Sequence, residues 1–309
     1  MKTKILFNTL LALGAGLAAV LAPVTAHAQN LYVTVLGPGT ILEYTPSGVQ
    51  STYATGLSSP RGLAFDSIGN LFAAETVFPH DDLNGIGKVL KYNLRNHVST
   101  FGTVSIGRAD IFLQGLATDV AGNAYVAATD SNTDMGPGIF EFTPSGDRIL
   151  FGSVPDQGWG LAFDSAGNLY VAADDYLGDS NDQTIFKFAP DGTRTVFVGP
   201  SAFAAGAYPL GLAFDSSGNL FVSTDCFCEP GSDTILEFTP TGVESTFATG
   251  LTNPRGLAFD SSGNLFVAEA GVPEIPGGDI LKFPSGGGMP EVFASGFGRP
   301  QFLTFGPPR

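Results

Sequence analysis

Five times along the chain, apolar residues alternate with small ones, meet an Asp-x-x-Gly-Asn turn, and alternate again. The segments are GLAFDSIGNLFAAE from Gly62, GLATDVAGNAYVAA from Gly115, GLAFDSAGNLYVAA from Gly160, GLAFDSSGNLFVST from Gly211 and GLAFDSSGNLFVAE from Gly256, spaced by 53, 45, 51 and 45 residues. A period of two with a central turn predicts strand–turn–strand. A second hairpin follows: ILEYTPSGVQSTYA from Ile41, IFEFTPSGDRILF from Ile139, IFKFAPDGTRTVF from Ile185 and ILEFTPTGVESTF from Ile235, with altered turns from Val89 and Ile280. Each unit therefore holds four antiparallel strands, A to D. Four-stranded units at this period predict the blades of a β-propeller.

The two ends of the chain complement one another. Pro300–Gly306 matches Pro60–Asp66, a strand A with nothing after it, and Asn30–Val33 matches Asn70–Ala73, a strand B with nothing before it. Residues 300–306 and 30–57 then form one composite blade that closes the ring, giving six blades in an all-β chain. In strand A, Leu63 and Phe65 point to one face while Gly62 and Ala64 point to the other. Bulky residues of one blade can therefore fill the space left by small residues of the next. The turn aspartates Asp66, Asp119, Asp164, Asp215 and Asp260 are expected to accept hydrogen bonds from turn amides.

Composition agrees. Gly is abundant (41 of 309 residues) and only 14% of residues are charged, which suits short strands and turns rather than helix bundles. Residues 1–28 read as a secretory signal: Lys2 and Lys4, an apolar run from Ile5 to Leu21, Pro23, then Ala26-His27-Ala28. The domain expectation is a signal peptide at 1–28 and a single propeller at 29–309, exported to the periplasm or beyond, monomeric and without a membrane span. Without Lys2 and Lys4, the 14 basic residues fall to 12 against 29 acidic ones, a charge of −17. That balance argues against nucleic acid as a partner, because phosphate binding needs a basic stripe.

GLAFDSSGNLFVAE resembles the NHL repeat and the wider six-bladed propeller set that includes gluconolactonases, regucalcin-type proteins and virginiamycin B lyase. The resemblance spans the mature chain. It implies a fold shared by enzymes and binding scaffolds alike. Gluconolactonases typically carry Glu-Gly-Pro, Asn-Gly and Ser-Asp-Gly segments that supply metal ligands; this chain has neither Glu-Gly-Pro nor Ser-Asp-Gly, and Arg61 and Arg255 replace the Asp often found before strand A's Gly.

Connectivity places the short A–B and C–D turns at one end of the ring and the variable B–C and D–A loops at the other. The five long B–C loops hold 15 of the 29 acidic residues. Such a rim suits a hard cation such as Ca²⁺, or is simply solvated. Glu75 and Glu269, at the end of strand B where NHL repeats often carry Asp, together with Asp174 and Asp225 one residue later in their blades, are the candidate metal ligands. Arg61 and Arg255 suit a ligand carboxylate, or pair with Glu75 and Glu269, the preferred reading. Trp159 suits stacking on a sugar or aromatic ligand, or plain packing. His80, in FPHDDLNG, suits a general base or metal ligand, although a solvated loop histidine is preferred. Cys226 and Cys228, the only cysteines, are expected to form a local disulfide. No catalytic motif is recognised, which favours a scaffold for a small molecule, sugar or protein at the variable-loop face. A metal-dependent lactonase is the alternative.

Overall fold

The computed structural model describes residues 29–78, 85–105, 111–130, 138–155, 157–174, 182–226, 231–271 and 278–307. The expected signal segment lies outside the described residues. The described chain is all β apart from one 3-10 turn at Pro200–Ala202, and it forms six four-stranded antiparallel sheets. These are the six blades, each ordered A-B-C-D. Blade 1 is the composite one: Pro300–Phe305 is its strand A and pairs with strand B, Leu31–Val35, with Leu31 opposite Phe305 and Val33 opposite Leu303. Strand A of blades 2 to 6 is Pro60–Phe65, Ile111–Thr118, Gln157–Phe163, Tyr208–Phe214 and Pro254–Phe259.

The A–B turns form as their residue types require. Asp66 Oδ1 accepts the amides of Ile68 (3.2 Å) and Asn70 (2.8 Å), and Oδ2 accepts Asn70 Nδ2 (2.6 Å). Asp119, Asp164, Asp215 and Asp260 repeat this pattern with Asn123, Asn168, Asn219 and Asn264. The turn glycine takes the left-handed conformation, +92° at Gly69, which a Cβ would disfavour.

The core is divided among the gaps between blades. Six apolar clusters fill the six gaps. One of them joins Tyr32, Ile41 and Leu57 of blade 1 to Leu63, Leu71, Ala73 and Tyr92 of blade 2. A strand-B aromatic meets a strand-D ring of its own blade and a strand-A ring of the next edge-on: Tyr32 with Tyr53 at 5.1 Å and Phe65 at 5.0 Å, and likewise around Tyr125, Tyr170, Phe221 and Phe266. Between blades 2 and 3 the strand-A ring is replaced by Thr118, whose hydroxyl donates to Phe65 O at 2.7 Å. The small face is equally strict. A Cβ on Gly62 would lie 2.6 Å from Gln114 O of blade 3, and one on Gly211 would lie 1.9 Å from Arg255 O of blade 6. Strand A is innermost, and a cavity of about 290 Å³ on the ring axis is lined by the equivalent leucines Leu63, Leu116, Leu161, Leu212, Leu257 and Leu303.

Candidate functional site

At the end of the ring that carries the D–A and B–C loops, the residue before strand A's Gly is Arg61, Gln114, Trp159, Leu210 and Arg255 in blades 2 to 6. Gln301 holds the same place before Phe302 in blade 1. This layer, termed the mouth, lies on the loop side of the leucines that line the axial cavity, and Gln114, Trp159, Leu210, Arg255 and Gln301 in it are buried. Three of the six blades enter it through a residue with positive φ followed by Pro: Ser59 (50°), Asn253 (53°) and Arg299 (61°). Each of those left-handed residues offers its carbonyl to the end of the same blade's strand B, as in Ala270 N to Asn253 O at 2.9 Å and Leu36 N to Arg299 O at 3.2 Å.

The two arginines in matching sequence contexts have different surroundings. Arg255 is buried at 7% exposure, its Nη2 lies 3.6 Å from Asp225 Oδ2 of the preceding blade, and its guanidinium sits 5.8 Å from the centre of the Trp159 ring. Trp159 in turn donates Nε1–H to Asp174 Oδ1 at 2.9 Å. Arg61 instead donates from Nη1 to the neutral Gln114 Oε1 at 2.8 Å. Burial first, and then the positive charges of Arg255 and Arg299, push the Arg61 pKa down to about 10. Arg255 and Arg299 thus add positive charge around Arg61 within a strongly acidic chain.

Glu75 and Glu269 do not take the arginines as the sequence predicts. Glu75 Oε2 accepts the Ser58 amide at 2.9 Å and Glu269 Oε1 accepts the Thr252 amide at 2.7 Å, so each carboxylate fastens the D–A loop that leads into its own blade's strand A. Burial first, partly offset by the Thr252 amide, and then Asp279 and Asp233 raise the Glu269 pKa. Asp233, which sequence reasoning places only among the loop acids, bridges two loops: Oδ1 accepts Cys226 N at 2.9 Å and Oδ2 accepts Asn253 N at 2.7 Å. Cys226 is disulfide-bonded. Its only possible partner in the chain, Cys228, lies outside the described residues, as does His80.

Calcium finds no matching donor set among the described residues. No three His, Cys, Asp or Glu side chains come together there to hold a metal. The four expected ligands are occupied by a loop amide each for Glu75 and Glu269, the indole for Asp174 and a guanidinium for Asp225. A cavity of about 520 Å³ opens at the opposite end of the ring near Asp215 and Asp260, whose carboxylates serve their own turns.

Sequence reasoning singles out Arg61, Arg255, Trp159, Asp174 and Asp225, and the structure links them in part: Trp159 touches both Asp174 and Arg255, and Arg255 touches Asp225. It passes over Gln114, whose signal is its place immediately before Gly115.

No protein-family model matches the sequence, and no curated protein is a detectable relative. The fold is nevertheless well represented among solved structures. It is similar to a protein of unknown function from Bacteroides caccae, with 13% identity over 89% of this chain and 98% of that one and a TM-score of 0.61. It is similar to a gluconolactonase from Xanthomonas campestris, with 16% identity over 86% of each chain and a TM-score of 0.55. It is also similar to the calcium-binding protein regucalcin from Agrobacterium tumefaciens strain C58, with 14% identity over 78% and 75% and a TM-score of 0.53. The chain therefore shares its six-bladed propeller fold with these proteins. At these identities the likeness is one of fold.

Proposed function

We propose that the protein is an exported propeller scaffold that binds a ligand at the face carrying its D–A and B–C loops. The observation that carries this reading is the state of the mouth. Arg255 lies there against Asp225 and Trp159, and among the described residues the four candidate carboxylates Glu75, Glu269, Asp174 and Asp225 are engaged with protein partners. A Lewis-acid hydrolase needs carboxylates free to coordinate its ion. A recognition site needs polar groups held rigidly on a scaffold, which is what strand A provides. A small molecule, sugar or protein segment fits such a face. The alternative, a metal-dependent lactonase, is supported by the fold shared with a gluconolactonase.

The test is turnover of D-glucono-1,5-lactone by the purified protein, alone and with Ca²⁺, Mg²⁺, Mn²⁺ or Zn²⁺ added. The expected result is no rate above the spontaneous background. Metal-dependent turnover would overturn the scaffold reading in favour of the lactonase. Export is tested by the N-terminus of protein recovered outside the cytoplasm, expected at Gln29.

A further inference from the structure

Arg61 and Arg255 are twins in sequence, each within Pro-Arg-Gly-Leu-Ala-Phe-Asp, and each follows a blade with a hydroxyl at the same strand-B position, Thr34 and Ser223. Those hydroxyls donate to the twins' carbonyls, at 2.6 Å and 2.7 Å, so both backbones are fixed in the same way. The twins differ in counter-charge. Two residues beyond Ser223, the preceding blade supplies Asp225 to Arg255. Two residues beyond Thr34, the same register position is Leu36. Among the described residues no carboxylate pairs with Arg61, which donates instead to the neutral, buried Gln114.

We propose that Arg61 anchors a site for a small carboxylate ligand, which pairs with the Arg61 guanidinium as Asp225 pairs with that of Arg255. A guanidinium held in the mouth with a neutral partner is costly. Its planar fork matches a carboxylate in two parallel hydrogen bonds. Arg255 and Arg299 raise the positive potential around it, as their effect on Arg61 shows. The acidic loops oppose an approaching anion at long range. At physiological salt, however, screening over ~8 Å leaves contact-range pairing to decide whether an anion binds. This inference deepens the scaffold reading and rests on the mouth being a binding face. Lactone turnover would sink that reading alone, and a failed carboxylate titration without turnover would sink this one alone.

The experiment is calorimetric titration of the intact mature protein with acetate, succinate and benzoate, and separately with sulfate and phosphate, at matched ionic strength. One saturable site per chain is expected for at least one carboxylate. Arg61→Gln should weaken it at least about tenfold, the worth of a charge-assisted contact. Leu36→Asp, which supplies a built-in counter-ion, should weaken it as strongly while leaving the fold intact. The proposal is overturned if none of the three carboxylates binds, if Arg61→Gln binds as wild type does, or if sulfate or phosphate binds more tightly than every carboxylate.

Discussion

Ser223 Oγ donates to the carbonyl of Arg255 in the next blade at 2.7 Å and accepts the amide of Gly211 in its own at 2.8 Å. One buried hydroxyl therefore sews strand B of blade 5 to the innermost strands of blades 5 and 6. Thr34 does the same at the closing blade, accepting Phe302 N and donating to Arg61 O. The other four blades have Ala at this position: Ala74, Ala127, Ala172 and Ala268. The hydroxyl occurs only before a blade whose mouth residue is Arg.

Ser223→Ala should cost about 1–3 kcal/mol, since it leaves a buried amide and a buried carbonyl without this partner. Denaturant unfolding measures the loss. A change below about 0.5 kcal/mol would show that the hydroxyl is incidental.

Gly211→Ala should cost at least about 3 kcal/mol, at the top of the usual overpacking range, because its Cβ would sit 1.9 Å from Arg255 O with no flexible side chain to yield. Gly286→Ala is the control: its Cβ would meet nothing within 4 Å, and its φ is not positive. Equal melting temperatures for the two variants would refute the close contact between innermost strands.

Ring closure gives a third expectation. Removing residues 300–309 deletes the innermost strand of blade 1 and exposes Leu31 and Val33, whose partners are Phe305 and Leu303. Large side chains contribute ~1.5–3 kcal/mol each on burial, against a typical domain stability of ~5–15. The truncated chain should lose most of its thermal stability; an unchanged melting temperature would rule out closure through this strand.

The fold is legible in the sequence because its signals are local. The Asp-x-x-Gly-Asn turn and the two-residue alternation lie within single hairpins, and Leu63 opposite Gly62 already implies a wedge between blades. The mouth is not legible, because its contacts join residues of different repeats. Arg61 and Arg255 share one motif, and what separates them is Leu36 or Asp225 on the preceding blade. That difference acquires meaning only once blade order and register are known. Glu75 and Glu269 are expected from sequence to face cations, yet they turn to the amides of Ser58 and Thr252. A carboxylate at a strand end satisfies whichever donor the neighbouring loop presents, and loop conformation is weakly encoded by residue type.

Glu269 predicts a pH dependence. Its pKa is raised in the fold, so its protonated form is the favoured one. The stability it contributes is complete below its unfolded pKa and lost as pH rises through the raised value. Glu269→Gln keeps an oxygen for the Thr252 amide and removes the charge. The variant should melt above wild type near pH 7, with the gap closing as pH falls to about 4. A gap that widens on acidification would mean that the carboxylate is favoured in its ionised form.

The twin arginines supply the last test. Asp225 and Arg255 have side chains exposed by only 3% and 8%, and removing one member of a buried pair strands the other, at about 3–5 kcal/mol. Asp225→Asn and Arg255→Met should each fall in that range, and the double variant should recover part of the loss, because neither charge is then left alone. Arg61→Gln should cost about 1 kcal/mol or less: it gives up one bond to a neutral amide and relieves repulsion from Arg255 and Arg299. Urea unfolding of the four proteins orders these effects. If Arg61→Gln proves as damaging as Arg255→Met, Arg61 is already charge-paired within the protein, and the mouth has no place for a ligand's carboxylate.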